Sequence, residues 1–320
     1  MFGVRDLKPH IDISPNTVEC PVLGCSERVA RQRRSFRREE RFRCSEHKIY
    51  ISPSTFEYDY EINNLLWKNE TDLALLNAAK TVKRESRITR DNSEDAVTWN
   101  VFRYLEATNQ VAKLLSLITQ TEQHQAELIY WSYSPKDHGA WPELNKARKE
   151  FGENLQRSSE PDLIAVTDKG LFFIEVKLTA PNDTTPSDSN NRKKYLIGGD
   201  EWFRQVFISD YETIAIKSKL YELFRFWLLG SWVASRTGRD FYLINIVLSE
   251  REKDVEQRFN PHIRKGINRQ LKRVAWEEIH GFIDDNAPEN DDKSVILEYF
   301  RNKTIGYNHF GELQKAFAVE

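Results

Sequence analysis

Residues 160–179 read EPDLIAVTDKGLFFIEVKLT and contain two apolar runs separated by a short polar turn. The runs Asp162–Thr167 and Leu171–Thr179 have the length and composition of strands. The intervening Asp168-Lys169-Gly170 is typical of a tight hairpin turn. This stretch therefore predicts a β-hairpin, and the rest of the fold can be built outward from it.

Two charged residues interrupt the second strand of this hairpin. Side chains alternate along a strand, so Glu175 and Lys177 share one face and the apolar residues between them share the other. Pairing Thr167 with Gly170 would place Asp162 directly opposite Glu175 on that face, whereas a slip of one residue would turn Asp162 away. A β-bulge at Gly170 is one device that would fix the favourable register.

Elements on either side of the hairpin complete a mixed pattern along the chain. The predicted elements are a helix from Asn92 or Ser93 to about Ile118, a strand at Leu128–Tyr133, a helix at Ile214–Ala234, a strand at Phe241–Ser249 and a helix at about Pro261–Phe282. The almost wholly apolar strand 241–249 should lie centrally in the sheet. The polar segment Pro181–Asn191 is expected to be a mobile loop that is too polar to pack. The order predicts an α/β fold, a mixed sheet flanked by helices.

A third carboxylate can be placed by helical periodicity. Glu94 falls on the same helical stripe as Val97, Val101 and Leu105, the face that should pack on the sheet. The first turn of a helix also favours acidic residues through the helix dipole alone, so both interpretations of Glu94 stay open.

Carboxylates gathered beside a lysine suit metal-assisted cleavage of phosphodiesters. Mg²⁺ prefers oxygen ligands and keeps several waters. A lysine can orient or help to deprotonate such a water and can stabilise developing charge. A Glu-x-Lys pair is also common as a solvent-facing salt bridge, so it is weak evidence by itself.

The strings Glu160-Pro161-Asp162 and Glu175-Val176-Lys177 together resemble the signature of the PD-(D/E)xK nuclease superfamily, which includes many restriction endonucleases. The resemblance covers about Glu94 to Ser249 and extends to the order helix, three strands, helix, strand. It implies a restriction-endonuclease-like fold and a Mg²⁺-dependent endonuclease acting on DNA, with a role in restriction or phage defence.

The resemblance also assigns roles to individual residues. Asp162, Glu175 and the carbonyl of Val176 would bind the catalytic Mg²⁺, Lys177 would act on the water, and Glu94 would add an upstream acidic group. Tyr221 and Arg225, on the helix after the hairpin, would approach the phosphate. For these two residues, core packing and salt bridging stay open as alternatives.

All three cysteines lie near the N-terminus beside a histidine. Cys20-x4-Cys25 and Cys44-x2-His47 form two close pairs separated by a longer insert, an arrangement that suits tetrahedral Zn²⁺. Four protein ligands leave no open position, so this zinc should be structural. An odd cysteine count argues against a disulfide framework. The alternative is three buried thiols and a surface histidine.

The insert between these pairs is rich in arginine. Residues 28–48 hold nine basic and three acidic residues, a local excess of +6 in a chain whose net charge is -2. We expect Arg33, Arg34, Arg37 and Arg38 to contact nucleic-acid phosphates, with a solvated loop as the alternative. A second basic stripe, Lys265, Arg269 and Lys272, is expected to be a solvated helix face.

The 320 residues are divided by these signals into three parts. Residues 1–60 are expected to form the zinc module, 61–90 a connecting segment with a helix near Asp72–Val82, and 91–320 the nuclease-like domain. No apolar run is long enough to span a bilayer, so a cytoplasmic protein is expected. DNA is the expected partner, and RNA and a homodimer are left open. The rival functions are a catalytically inactive zinc-dependent nucleic-acid binder and a protein-interaction module.

Overall fold

The computed structural model describes residues 6–33, 36–52, 54–83, 85–154, 158–188, 191–264, 266 and 268–320. Arg34 and Lys265, which the sequence analysis singles out, lie outside these described residues. Grouped by their backbone contacts, the residues form two compact units. The first comprises Met1–Asn69, Ser86–Thr108 and His280–Glu320, and the second Glu70–Glu85 and Asn109–Ile279. The three-part division drawn from the sequence stays a prediction.

The strands are β1 (Thr17–Glu19), β2 (Arg28–Ala30), β3 (Ile49–Ile51), β4 (Phe56–Tyr58), β5 (Glu127–Tyr130), β6 (Tyr133–Ser134), β7 (Gly139–Ala140), β8 (Leu163–Val166), β9 (Gly170–Val176), β10 (Asp240–Val247), β11 (Arg269–Ala275), β12 (Thr304–Tyr307) and β13 (Leu313–Lys315). The α-helices are α1 (Glu70–Val82), α2 (Glu94–Ala107), α3 (Val111–Thr119), α4 (Pro142–Glu150), α5 (Asn191–Val206), α6 (Tyr221–Thr237), α7 (Val255–Phe259), α8 (Trp276–Asn286) and α9 (Asp291–Asn302). Short 3₁₀ turns occur at Glu40–Phe42, Glu61–Asn64 and Asn260–His262, and a π-helical segment at Glu212–Lys217.

The second unit is organised around a seven-stranded mixed sheet with the order β11-β10-β9-β8-β5-β6-β7. Strands β9, β10 and β11 are parallel, and the remaining neighbours are antiparallel. Helices flank the sheet, and the core of this unit is formed largely by α6 packed on β9 and β10. This confirms the coarse prediction of a mixed α/β sheet. It also confirms the central position of strand 241–249, since β10 has a partner on each side.

The register of the hairpin β8–β9 is the predicted one. Leu163 pairs with Ile174 and Val166 with Leu171, so Asp162 falls opposite Glu175. The suggested bulge at Gly170 is wrong, because the ladder runs from end to end without a shift. Glycine serves here to let an aromatic ring approach, since a Cβ at this position would lie 2.5 Å from the Phe172 ring.

The predicted helix from residue 93 to 118 is two helices. It begins as expected, with the Ser93 hydroxyl accepting a hydrogen bond from Ala96 N (3.1 Å). It stops at Ala107, because Asn109 adopts a left-handed φ of 56°. Helix α2 belongs to the first unit and α3 to the second.

Two helical predictions on the C-terminal side need correction. The helix predicted at Ile214–Ala234 is divided by Lys219, which has a φ of 55°, into the π-helical segment and α6. The helix predicted at Pro261–Phe282 is wrong over Arg269–Ala275, which is strand β11 beside β10. Its apolar spacing resembled a helical stripe, but residues three apart on a strand point to opposite faces. Arg269 and Lys272 of the proposed basic stripe therefore lie on a strand and not on a helix face.

Of the remaining elements, some lie close to their predicted positions and others were not predicted. The strand predicted at Leu128–Tyr133 is shorter, since β5 ends at Tyr130 and Trp131 has a φ of 34°. Helix α1 agrees with the helix expected near Asp72–Val82. Helix α5 was not predicted, and it is kinked at residues 198–201. No helix in the described ranges is both long enough and apolar enough to cross a membrane.

Candidate functional site

Four side chains in the first unit converge on one point. The ligand atoms of Cys20, Cys25, Cys44 and His47 all lie within 4.8 Å of one another, and the three cysteines are buried. Among the described residues, no other group of three or more cysteine, histidine or acidic side chains brings its ligand atoms this close together. The cysteines also belong to the apolar core formed around β1–β4.

The spacing of these atoms fits a tetrahedral metal. Zinc–sulfur bonds of about 2.3 Å would put two sulfurs about 3.8 Å apart and a sulfur and a nitrogen about 3.6 Å apart. The distance from Cys25 Sγ to Cys44 Sγ is 3.8 Å, and His47 Nδ1 lies 3.6 Å from Cys44 Sγ and 3.8 Å from Cys20 Sγ. The cluster could therefore hold Zn²⁺, as the spacing of the residues predicts.

Local backbone geometry brings the two ligand pairs together. Gly24 has a φ of 78°, which lets the chain turn immediately before Cys25. In the second pair, His47 N donates to Cys44 Sγ at 3.4 Å. Burial raises the pKa of the Cys44 thiol to about 11. A cation is what would favour the thiolate here.

Glu27, which the sequence analysis missed, ties the two pairs to each other. Its carboxylate accepts hydrogen bonds from the backbone N–H of Ser45 at 2.8 Å and from the Cys44 thiol at 2.9 Å. These donors, led by the thiol, lower the pKa of Glu27 to about 2. A bound cation would displace the thiol proton, and the Ser45 N–H and hydroxyl would still hold the carboxylate. Nothing in the local spacing marks Glu27, since its partner lies 17 residues away.

The second group of functional side chains lies at the end of β9 in the second unit. The Asp162 carboxylate accepts a hydrogen bond from Val176 N at 2.9 Å, which fixes it beside the strand end. Glu175 is buried, and the Lys177 ammonium donates to its Oε1 at 2.5 Å. The hairpin therefore brings Asp162, Glu175 and Lys177 together on one face.

A further carboxylate that the sequence analysis missed completes this group. Glu222, in the first turn of α6, accepts a hydrogen bond from Lys177 Nζ at 2.8 Å. Its backbone N–H is held by Thr184 Oγ1 at 2.9 Å. Glu222 lies between Tyr221 and Arg225, the two residues of this helix that the sequence analysis chose, but only the fold shows which helix face meets Lys177.

The electrostatics of the group are asymmetric. Burial, then the neighbouring Asp162 and Glu222, hold the pKa of Glu175 well above its usual value. Burial opposes the charged form of Lys177, but the carboxylates around it, Glu175 first, outweigh that effect and raise its pKa well above its usual value. Burial also opposes ionisation of Glu222, but Lys177 more than compensates and lowers its pKa. Lys177 therefore keeps its proton, Glu222 stays ionised, and the protonated form of Glu175 is favoured.

Two asparagines support the backbone next to Glu175. Asn245 on β10 is opposite Glu175 in register, and its side-chain amide donates to the Glu175 carbonyl at 3.4 Å. Asn182, from the segment predicted to be a polar loop, donates to Asn245 Oδ1 at 2.7 Å and to Glu252 at 3.1 Å. Both asparagines are almost completely buried, so this part of the predicted loop is packed against the site.

The two residues expected to approach a phosphate have protein partners of their own. Arg225 pairs with the buried Glu153 at 3.1 Å, and its guanidinium lies 5.4 Å from the Tyr221 ring centre. Tyr195 and Ser159 also donate to Glu153. A phosphate contact by Tyr221 or Arg225 stays a prediction beside this salt bridge.

Glu94 is half-buried in the first turn of α2, as its sequence position predicts. It belongs to the first unit, whereas Asp162 and Glu175 belong to the second. Its role as a metal ligand stays a prediction, as does the use of the Val176 carbonyl.

The arginine insert is less uniformly cationic than its sequence indicates. Arg38 pairs with Asp59 at 3.2 Å, and Arg28 pairs with Asp12 at 2.6 Å, so acidic residues outside the insert offset part of its charge. Arg33 is exposed and donates to the Pro15 carbonyl. Arg37 has 61% of its side chain exposed and only a long 3.5 Å pair with Glu39. Arg33 and Arg37 are therefore the described members of the predicted set that face solvent without a close carboxylate.

No protein-family model, curated protein sequence or solved structure matches the chain.

Proposed function

We propose that this protein is a Mg²⁺-dependent endonuclease of the PD-(D/E)xK type that hydrolyses phosphodiester bonds in DNA. The observation that carries the proposal is the register that sets Asp162 opposite Glu175, with Lys177 on the same face. The restriction-endonuclease-like fold and a role in restriction or phage defence are parts of the same proposal, and they rest on the resemblance of the motif.

The donor set fits a divalent cation. Asp162, Glu175 and Glu222 surround a single ammonium, so the fully ionised group has a formal excess of two negative charges. Mg²⁺ binds through one or two carboxylates and retains waters, and it would bring a water to the phosphorus and neutralise charge in the transition state. Asp162 and Glu175 would hold it, together with the carbonyl of Val176.

Lys177 would act in its charged form. The carboxylates around it, Glu175 first, favour this form because they raise its pKa. Lys177 would donate hydrogen bonds to the attacking water or to a phosphate oxygen that gains charge in the transition state. Glu222 would hold the ammonium in place, since it pairs with Lys177 from the opposite element.

The zinc cluster supports the same function indirectly. A structural Zn²⁺ on the four ligands would order the insert that carries Arg33 and Arg37. Exposed guanidinium groups suit sequence-independent contacts to the phosphate backbone.

The test is a cleavage assay on supercoiled and linear DNA, and on RNA, with Mg²⁺, Ca²⁺ or chelator. Wild type should cut with Mg²⁺ and poorly with Ca²⁺. Asp162→Asn should lose cleavage together with Mg²⁺ binding, whereas Lys177→Ala should bind the metal and lose about a hundredfold in rate. Lys169→Ala is the matched control, because Lys169 is an exposed lysine on the turn of the same hairpin.

Absence of cleavage by wild type with every metal would refute the catalytic proposal. Retained binding of nucleic acid in that case would favour the inactive zinc-dependent binder, and loss of both would favour the protein-interaction module. Cleavage by Lys177→Ala at the wild-type rate would refute the role of Lys177 alone.

A further inference from the structure

A cavity of about 360 Å³ opens in the second unit where the parallel strands β10 and β11 begin. This volume is in the range of sites for small ligands. The side chains of its wall that can recognise a polar ligand include Trp202, Ser231, Arg239, Asp240, Asn268 and Arg269.

The cavity is separate from the carboxylate group. Asp240 at its rim pairs with Gly170 at the start of β9, whereas Asn245 pairs with Glu175 near the end of that strand. Five residues of extended strand span about 16 Å. One ligand group cannot occupy both places, so the cavity needs an explanation of its own.

Arg269 is the unusual member of the wall. Within the described ranges it forms no salt bridge, and its Nε is buried without a hydrogen-bond partner. Burial lowers its pKa. The residue as a whole is half-buried, and this partial burial favours a counter-charge beside the guanidinium.

The neighbouring side chains hold this guanidinium in position. It lies 5.9 Å from the ring centre of Trp202, and Trp202 is fixed because its Nε1 donates to Ser231 Oγ at 3.0 Å. A Cβ at Gly266 would lie 3.7 Å from Arg269 Nη2, so the side chain also passes over this glycine. Arg269 is therefore preorganised at the cavity wall.

A second guanidinium lines the same cavity. Arg239 donates through Nε to the Thr167 carbonyl at 3.0 Å, which anchors it on the turn of the hairpin. The described wall thus combines two guanidinium groups with one carboxylate, Asp240. Its formal charge is positive, although the whole chain is slightly acidic.

We propose that this cavity is a binding site for a phosphate group. Planar guanidinium groups recognise phosphate oxygens through paired hydrogen bonds, and the side chain of Asn268 adds a neutral donor. The phosphate would belong either to a free nucleotide or to a nucleic-acid strand. This site does not depend on the proposed nuclease activity.

The test is isothermal titration calorimetry of the full chain without added Mg²⁺, so that no divalent cation can bring phosphate to the carboxylates. The probes are inorganic phosphate, adenosine monophosphate, a short single-stranded oligonucleotide, and acetate as a carboxylate control. Phosphate and the nucleotide should bind at low-millimolar concentration or tighter, and acetate should not. Arg269→Gln should weaken binding about tenfold or more, because a charge-assisted hydrogen bond is lost.

Arg239→Gln should weaken binding in the same direction, which keeps the test valid if one of the two variants folds poorly. Arg236→Gln is the matched control, since Arg236 lies on α6 but pairs with Asp200 at 3.2 Å and does not line the cavity. Its affinity should equal that of wild type.

The outcomes separate clearly. Tighter binding of the oligonucleotide, lost in Arg269→Gln, would support the site with a nucleic-acid strand as the source. Equal affinities for inorganic phosphate and the nucleotide would support the site with a free phosphate group as its ligand. No heat from any phosphate probe, equal binding of acetate, or affinity unchanged in both cavity variants would overturn the proposal.

Discussion

Replacing Lys177 with methionine should destabilise the second unit by an amount that depends on pH. The ammonium lies 2.5 Å from Glu175 Oε1 and 2.8 Å from Glu222 Oε2, and only 11% of the lysine side chain is exposed. At an effective dielectric constant of about 20, each of these pairs attracts by roughly 6 kcal/mol before the cost of burial is subtracted. Removing one partner of a buried pair typically costs about 3–5 kcal/mol, because the remaining charge is left uncompensated.

The sign of the pH dependence follows from the directions of the pKa shifts. Lys177 has a raised pKa, so its stabilising contribution is present throughout the neutral range and is lost only as the pH rises through its folded pKa. In Lys177→Met, Glu175 loses its counter-charge, and its already raised pKa should rise further. A carboxyl with a raised pKa contributes stability below its unfolded value, and that contribution falls as the pH rises through its folded value. The variant should therefore lose less stability in mild acid, where Glu175 is protonated, than in mild alkali, and the loss of the Lys177–Glu222 pair adds a cost at both pH values.

Urea unfolding followed by tryptophan fluorescence, in mildly acidic and mildly alkaline buffer, measures this effect as a change in midpoint at constant slope. Lys169→Met, on the exposed turn of the same hairpin, should behave as wild type at both pH values. Adding Glu175→Gln to Lys177→Met should restore part of the stability in alkali, because one of the two uncompensated carboxylates is gone. A destabilisation equal at both pH values, or none at either, would refute the assignment of a buried charge network to this strand.

Three further predictions concern the first unit and its partners, with Gly238 of the second unit as a control position. The purified chain should contain one equivalent of zinc. Cys44→Ala should contain none, and the apolar core around β1–β4 should unfold in this variant because the energy of metal binding there also stabilises the fold. Wild-type protein without zinc would contradict this prediction. Gly24→Ala and Gly238→Ala should each cost about 1 kcal/mol, since both positions have a positive φ and open space for a Cβ, but only the first should weaken zinc binding in a chelator competition. Neutralising Arg33 and Arg37 with glutamine should weaken nucleic-acid binding equally on all sequences and flatten its salt dependence, and an unchanged salt slope would disprove phosphate contact.

The parts of the fold that the sequence predicted are those specified by strong local patterns. The hairpin register followed from alternation and a polar turn, and β10 was placed centrally because it is apolar on both faces. The cluster of three cysteines and one histidine was predicted from residue spacing alone. Each ligand pair is set by local sequence, so only one long-range contact, between the two pairs, is needed to gather the four ligands.

The parts that failed depend on backbone choices with weak local signals. Asn109 and Lys219 break helices by adopting a positive φ, which is uncommon for residues other than glycine. The segment Arg269–Ala275 is a strand because β10 offers it an edge, a tertiary preference that overrides its helix-like apolar spacing. The offset of the arginine insert by Asp12 and Asp59 also comes from outside the segment in which the charges were counted.

The position of Glu222 depends both on local sequence and on the tertiary fold. The chain leaves the sheet at the end of β9 and returns at the start of β10, with α6 as the crossover, so the helix begins near the strand end. Burial opposes ionisation of Glu222, but Lys177 lowers its pKa, and the N-terminus of a helix also favours a carboxylate. Lys177 therefore has two partners of different character, a carboxylate in Glu175 that is readily protonated and one in Glu222 that stays ionised. In the proposed reaction, Asp162 and Glu175 would hold the cation while Glu222 would keep the ammonium in place, a division of roles that Asp162, Glu175 and Lys177 could not provide by themselves.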